Sequence, residues 1–511
     1  MVKLVRRASF RTTFFLAVII FLGLFLRVIN LDNNPAGFFC DEASIGYNAY
    51  SLLKTGKDEY GASWPLFFRA FGEYKSPVLI YSAIIPIYFL GLSEKAVRLT
   101  SAFYGVLEIL AIYLFVSYLE GKKIALLAAL FLAVSPWHLH FSRVSLEGLM
   151  PFIFFTTLGA YFWLAFRKEN KNFFKAIFSF ALALYSYFPA RIFIPLFCGT
   201  LAFLARKQLW ENKRKPFWGF LLVLVLISPL VIHTFFGPGL ARWQQVVAKK
   251  SFLDLFKLYW DHFSFDFLFF LGDASFPGQF ISRHSVAHRG ELFLIQMPFL
   301  IIGLIMLLKK KTLAREVIGP WLFFYPVGTL FTQAPGPQAT RSIIGVVPLQ
   351  ILSAMGVEAA FNWLKKKTKK KLILDLVKGM VFLAIAFSLI DYLLAYKNYP
   401  FYSADYWGWQ YGPKPIMNYF LRVSSQYDQL IMTNSFNAPQ IFLHFYDPAG
   451  RCSSCRIGGL ADLNPQRSQL FAIRAEEEEE WQKRGVPYKI KDKIFYPSGQ
   501  LAFLLIEPFE K

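Results

Sequence analysis

Long apolar runs separated by short polar stretches make up most of the chain. The runs lie near residues 14–29, 96–118, 124–137, 148–166, 173–188, 191–205, 217–235, 291–308, 317–332, 343–361 and 372–391. Each is close to the roughly 20 residues that a helix needs to cross a bilayer, so the pattern predicts about 11 transmembrane helices. Basic clusters punctuate them: Lys3, Arg6, Arg7 and Arg11 before the first run, then Lys122-Lys123, Arg167 to Lys175, Arg206 to Lys215, Lys309 to Arg315 and Lys365 to Lys371. Alternating the runs from a cytoplasmic N-terminus puts every cluster inside, as the positive-inside bias requires. One further run, Pro77 to Leu92, would reverse that parity if it spanned. Its length and internal Pro86 predict an interfacial or re-entrant helix instead.

This topology defines the outward pieces. They are a first loop of about 30–95, the turn Phe141-Ser142-Arg143 to Glu147, a turn from Tyr185 to Arg191, a long loop of about 237–290, the turn Gln333 to Arg341 and a tail from about 392. The tail carries strand-like runs at Gln429 to Thr433, Ile441 to Phe445 and Leu501 to Ile506. Helical patterns lie at Pro415 to Val423 and within Arg474 to Arg484. It is predicted to be a small extracytoplasmic α/β domain, 392–511, following a membrane domain, 1–391. Glu476 to Glu480 is predicted to be a solvated helix face.

Composition agrees with a membrane protein. Of 511 residues 55% are hydrophobic and 17% charged, against about 25% charged in soluble chains. The net charge of +22 sits in short clusters between apolar runs rather than on one basic face, which argues against nucleic acid as a partner. The basic N-terminus is followed by no small-residue cleavage site and is expected to be a retained signal anchor. Four cysteines occur, with no zinc-finger spacing; Cys452 and Cys455 form a C-x-x-C, either a local disulfide or two free thiols.

Candidate chemistry falls on the outward side. Asp41-Glu42 opens a stretch to Lys54 in which Ile45, Ala49, Leu52 and Leu53 share a helical face, predicting a helix lying in the interface. Carboxylates at its start are either functional or merely helix-start residues. Glu73, Lys75 and Pro77 form a second short motif, in which Lys75 could simply reach lipid headgroups. Arg143 and Glu147 are four apart, the spacing of an intrahelical pair. Arg191, Arg242, Arg283 and Arg341 also lie outside or at the edge, against the positive-inside trend, and so call for an anionic partner such as a lipid-linked phosphate. His233 ends a membrane segment, and His284 and His288 share the long loop with Asp273. A divalent metal is open only by assembly from separate loops, with His233 and Glu73 as candidate ligands.

Arg27, Asp41-Glu42, Gly56, Glu73-Tyr74-Lys75-Ser76-Pro77, Val97-Arg98-Leu99, Ser135-Pro136, Ser142-Arg143 and Glu147, in that order, resemble the polyprenyl-phosphate-sugar-dependent glycosyltransferases of the GT-C superfamily. These include the protein O-mannosyltransferases and the lipid A aminoarabinose transferase. The resemblance is clearest over 10–205 and fades in the tail. It implies a GT-C fold, with Asp41 as catalytic base and Glu73 and Lys75 lining the donor site. Ser76 stands where many relatives carry a second proline, and Tyr74 is an extra residue between the acid and the lysine.

Lys75, Arg143 and Arg341 are then expected phosphate ligands, and Glu42, Glu73 and Glu147 orienting groups. Arg283 and His284 are expected to contact substrate. The expected activity is transfer of a sugar from a polyprenyl-phosphate donor to a hydroxyl of a protein, lipid or glycan acceptor, at the outer face of the plasma membrane. The alternative is a transporter or flippase for a lipid-linked or anionic substrate. Charges concentrated in outer loops and the absence of repeated halves argue against it.

Overall fold

The computed structural model describes residues 10–212, 214–309, 312–368 and 370–509. Lys3, Arg6, Arg7, Lys213, Lys310, Lys311 and Lys369 of the basic clusters lie outside the described residues.

The long apolar runs are mostly helical, and the chain is a multi-pass membrane protein. Among the described residues, six helices are long and apolar enough to cross a membrane: Phe10–Val28, Glu94–Leu119, Leu149–Glu169, Arg214–Phe235, Ile343–Lys367 and Lys371–Asn398. A seventh span is formed if Lys122–Val134 and Pro136–Ser142 count as one, bent by 58° where Pro136 begins a new helix. Phe173–Leu184, Ala190–Leu204 and Gln296–Lys309 are shorter apolar helices, as is Pro77–Leu90 with its internal Pro86. The 317–332 run is divided between Leu313–Phe324 and a turn of helix at Val327–Leu330.

The helices sort into a centre and a rim. Ile343–Lys367 is 83% buried and Leu149–Glu169 78%, whereas Arg214–Phe235 and Lys371–Asn398 are each only 11% buried. A helix that is apolar all round yet uncovered by protein is one that faces lipid. Small residues set the tightest central contact. A Cβ on Gly303 would lie 1.9 Å from the Leu352 carbonyl oxygen, and one on Gly356 1.8 Å from that of Phe299.

The loop after the first helix is compact. Helix Cys40–Thr55 is followed by a hairpin of β1 (Phe68–Ala70) and β2 (Glu73–Lys75), then by helix Pro77–Leu90. Ile45, Ala49 and Leu52 are buried and Leu53 is half-buried. Their face packs against Pro77–Leu90 and against the tail helix Gln440–Tyr446, so the predicted interfacial helix is covered by protein on both sides.

The tail holds a five-stranded sheet of β3 (Gln429–Thr433), β4 (Cys455–Gly458), β5 (Gln469–Arg474), β6 (Tyr488–Phe495) and β7 (Leu501–Pro508), in the order β4-β3-β5-β7-β6. β3 runs parallel to β4 and β5, and β7 antiparallel to β5 and β6. The predicted strand at Ile441 to Phe445 is instead helical. Ile441, Phe442 and Phe445 share one helical face, and Phe445 packs on Phe38 with ring centroids 4.7 Å apart. Helix Glu478–Lys483 is shorter than the Arg474 to Arg484 segment predicted, because β5 runs to Arg474. Glu477 turns inward, its carboxylate accepting from Thr433 Oγ1 at 2.9 Å and from the Arg474 amide at 2.9 Å, so the acidic run is not wholly solvated. Cys452 and Cys455 form a disulfide. The last membrane helix runs on to Asn398, past the expected boundary at 391.

Candidate active site

Asp41 and Glu42 both lie in the first turn of helix Cys40–Thr55, yet neither is its cap residue; Phe39 holds that position in extended geometry. The Asp41 carboxylate accepts from Lys75 Nζ at 2.5 Å across to β2. Burial pushes the Asp41 carboxyl up, but the charge and hydrogen bond of Lys75, reinforced by Arg242 and Arg283, outweigh it and leave it below the ordinary aspartate value. The same pairing overcomes the burial of Lys75 and raises the lysine. Asp41 is therefore ionised at neutral pH while its side chain keeps 20% of its surface open.

Glu42 is sealed. Its side chain is 0% exposed and takes two parallel bonds from Arg98, Nε to Oε1 and Nη2 to Oε2, each 3.0 Å. The Ser145 amide donates to Oε1 at 3.0 Å and the Phe39 amide to Oε2 at 3.4 Å. Arg98 also donates to the carbonyls of Leu31, Pro35 and Gly37. Every strong donor and acceptor of the pair is used within the protein, so Glu42 fastens the first loop to the membrane helices and does not reach a ligand. Arg143 is also turned into the protein: its two terminal nitrogens donate to the carbonyls of Leu26, Ile29, Asn30 and Asn34, closing the end of the first helix.

Several of the interhelical turns meet in a cavity of about 140 Å³ whose wall includes Asp41, Glu147, Arg242, Arg283, His284 and Arg341. They come from the first loop, the turn after Arg143, both ends of the long loop and the turn ending at Arg341. Arg242 bridges two acids, 2.8 Å from Glu73 and 3.0 Å from Glu147. Burial, together with Glu147 and Asp41, pushes the Glu73 carboxyl up to about 7 against the pull of Arg242 and Lys75. Glu73 and Lys75 stand directly behind the wall, touching it through Arg242 and Asp41.

His284 Nδ1 lies 3.1 Å from Asp273, whose carboxylate also accepts from the Ala339 amide at 2.6 Å. Burial nevertheless dominates and lowers the His284 imidazole below its ordinary value. Arg283 donates to the Trp407 carbonyl at 2.7 Å and lies over the Phe39 ring. Among the described residues, Arg341 makes no ion pair or side-chain hydrogen bond, although it faces the cavity beside Tyr187 and Thr340. A guanidinium in a small, largely buried cavity with its donors free is a ready ligand for an anion.

His233 stacks flat on Phe67, with centroids 4.0 Å apart, and meets Tyr74 edge-on. Glu73 is held by Arg242. Among the described residues, no three His, Cys, Asp or Glu side chains converge in a way that could hold a metal ion. Several participants carried no advance signal. Tyr187 and Thr340 are neutral residues in short turns, and Trp407 contributes only its carbonyl. Arg98 was visible in its motif but without a role, which depends on a partner 56 positions away.

The apo crystal structure of ArnT from Cupriavidus metallidurans superposes over 97% of this chain and 98% of its own, with a TM-score of 0.59 at 11% identity. The chain has the GT-C fold. ArnT bound to undecaprenyl phosphate matches at a TM-score of 0.56 and 12% identity, over 96% of this chain and 97% of its own. The Archaeoglobus fulgidus oligosaccharyltransferase tethered with an acceptor peptide matches at 0.56 and 13%, over 97% of this chain and 74% of its own. The sequence profile of the dolichyl-phosphate-mannose-protein mannosyltransferases matches residues 74–233. An uncharacterized protein of Aquifex aeolicus is 26% identical over 236 residues, a stretch that spans 46% of this chain and 44% of that relative. Within this GT-C fold, the profile match runs from Tyr74, in β2, to His233, at the end of the Arg214–Phe235 helix, and so takes in Lys75 and Glu147.

Proposed function

We propose that this protein is a membrane glycosyltransferase. It moves a sugar from a polyprenyl-phosphate donor to an acceptor hydroxyl at the extracytoplasmic face, with the N-terminus cytoplasmic and residues 392–511 forming an outer domain. The acceptor oxygen attacks the anomeric carbon as the bond from that carbon to the phosphate oxygen breaks. The bonding pair leaves with the phosphate, the hydroxyl proton passes to Asp41, and the configuration inverts in a single displacement.

The observation that carries this reading is an ionised carboxylate, Asp41, sharing a small cavity with a guanidinium, Arg341, that is unpaired among the described residues. A phosphate leaving group is already a stable anion and needs no general acid, whereas hydrolysis of an ordinary glycoside normally needs two catalytic carboxylates. The second acid in this wall, Glu147, is committed to Arg242. A carboxylate with a lowered pKa is a weak base, which suits a reaction in which departure of the phosphate leads and the acceptor hydroxyl becomes acidic as it bonds. Arg341 and Arg242 hold the departing phosphate, and Lys75 keeps Asp41 charged and aimed. Neighbours of the same fold that hold undecaprenyl phosphate or an acceptor peptide support a polyprenyl-phosphate donor and a separate acceptor.

The test is release of free polyprenyl phosphate from a series of polyprenyl-phosphate sugars by the purified chain in lipid, with membrane glycans from cells with and without the gene profiled in parallel. Turnover that requires Asp41 is expected. A chain that turns over no donor of this class would overturn the reading.

A further inference from the structure

A second cavity, of about 400 Å³, opens on the other side of the Glu42–Arg98 pair, where the first loop meets the tail. Its wall includes Asn33, Glu94, Gln410, Tyr411, Asn418 and Tyr446. Its volume falls within the range of small-molecule sites, about 300–1,000 Å³, and it lies at a seam between two parts of the fold, where such sites are common.

Its chemistry is unlike that of the Asp41 cavity. The buried acid Glu94 is neutralised by Lys414 at 3.0 Å and accepts from the Tyr446 hydroxyl. Asp32, at the rim, lies 3.4 Å from Lys95. No arginine lines it. The wall therefore offers no net positive charge to an anion.

What it does offer is an unused donor. Gln410 is 1% exposed, and its Oε1 accepts from the Cys40 amide at 3.2 Å. That bond fixes which end of the amide is oxygen. The other end, Nε2, is buried with no hydrogen-bond partner among the described residues. Leaving a buried donor unmade is costly, and a ligand oxygen in the cavity would satisfy it. Asn33 and Asn418 are exposed at the rim, each with donors and an acceptor, and Tyr411 and Tyr446 supply half-buried ring surface. A few amides, a neutralised carboxylate and tyrosine rings without net charge match a ring that is apolar on its faces and hydroxylated at its edges.

We propose that this cavity binds a neutral sugar unit and, resting on the transferase reading above, that the unit belongs to the acceptor. The acceptor is then a glycan, gripped on the tail side of the Asp41 helix while its hydroxyl is presented on the other. The cavity reaches that helix through Gln410, whose side-chain oxygen accepts from the amide of Cys40, the residue before Asp41.

Binding is tested without any donor. The full chain in nanodiscs is examined by saturation-transfer NMR with the methyl glycosides of mannose, galactose and rhamnose, and with methyl glucuronide as the charged control. At least one neutral glycoside is expected to bind, with methyl glucuronide at least tenfold weaker. Asn418→Ala and Asn33→Ala, both surface changes that leave the fold intact, are expected to weaken binding at least threefold. Gln410→Met is expected to abolish it, with the melting temperature reported alongside. Failure of every neutral glycoside, preference for the glucuronide, or binding indifferent to both asparagine changes would each overturn the proposal. Donor turnover by a chain that binds no glycoside would refute this site and leave the transferase reading standing. Glycoside binding without turnover of any donor would do the reverse.

Discussion

Asp41 and Glu42 are neighbours of nearly the same chemistry in two very different regions. Glu42 lies in a knot where an arginine, two amides and three carbonyls leave nothing unmade. Asp41 lies one residue away, has a single lysine partner and faces a cavity with a free guanidinium. A helix advances by about 100° per residue, so adjacent first-turn acids necessarily point in different directions. A charge is available for chemistry when part of its coordination is left open and a counter-charge is waiting there. A charge whose every lone pair is used holds the frame in which the other works.

The comparison breaks or holds under substitution. Asp41→Asn keeps the shape and removes the base, so transfer is expected to fall by about 10²–10⁴-fold while the melting temperature changes little. Near-normal transfer in Asp41→Asn would remove the asymmetry. Glu42→Gln leaves Arg98 buried and uncompensated. The expected result is a loss of about 3–5 kcal/mol of stability, read as a lower melting temperature and lower yield, with the folded fraction retaining most of its specific activity. If Glu42→Gln were as stable as wild type but inactive, the two acids would have to share the chemistry.

Arg341→Gln should weaken donor handling by about 10–100-fold, the worth of a hydrogen bond to a charged group at about 1.5–3 kcal/mol. Arg341→Lys should recover part of it, and full activity in Arg341→Gln would direct attention to Arg242 and Arg283. The smallest effect expected is on pH. Glu73 is held up to about 7; below that value it is neutral and Arg242 is freer to meet a phosphate. Above it Glu73 is charged and competes, so the donor KM is expected to rise by a few fold as pH increases through about 7. Glu73→Gln should flatten that rise, and a KM independent of pH in the wild type would argue against the competition.

Most of the fold could be read from the sequence because membrane helices announce themselves in runs of apolar residues; each run is mostly helical, although 317–332 is divided and only six of the described helices are long and apolar enough to cross by themselves. The run at 441–445 misled because five residues are too few to separate a period of 2 from one of 3.6; Phe445 faces Phe38, and that contact across the chain decides the matter. β4 and β5 were missed for the same reason, since a short strand is defined by its neighbours, and β6 because its residues are mostly exposed and many of them charged. At the site, Arg283 and Arg341 were named from charge that ran against topology, Asp41 from the acidic pair and its motif, Glu147 from its spacing to Arg143 and His284 from the long loop it shares with Asp273, and all five share one wall. Glu42 and Arg143 carry the same charges but are consumed by partners, and sequence does not show which charges are already satisfied. Tyr187 and Thr340 could not have been found by charge at all.

Gly37 has a left-handed φ of 93°, and a Cβ there would come within 2.4 Å of the Trp409 carbonyl oxygen. With Gln410 bonded to Cys40, this makes the tail segment Trp409 to Tyr411 a fitted counterpart of the loop that carries Asp41. The two pieces work as a fitted pair: a tail of different backbone course would bring a differently shaped counterpart to the same glycine. A chimaera that exchanges acceptor preference should therefore be joined after Tyr411, leaving the host's own fit undisturbed.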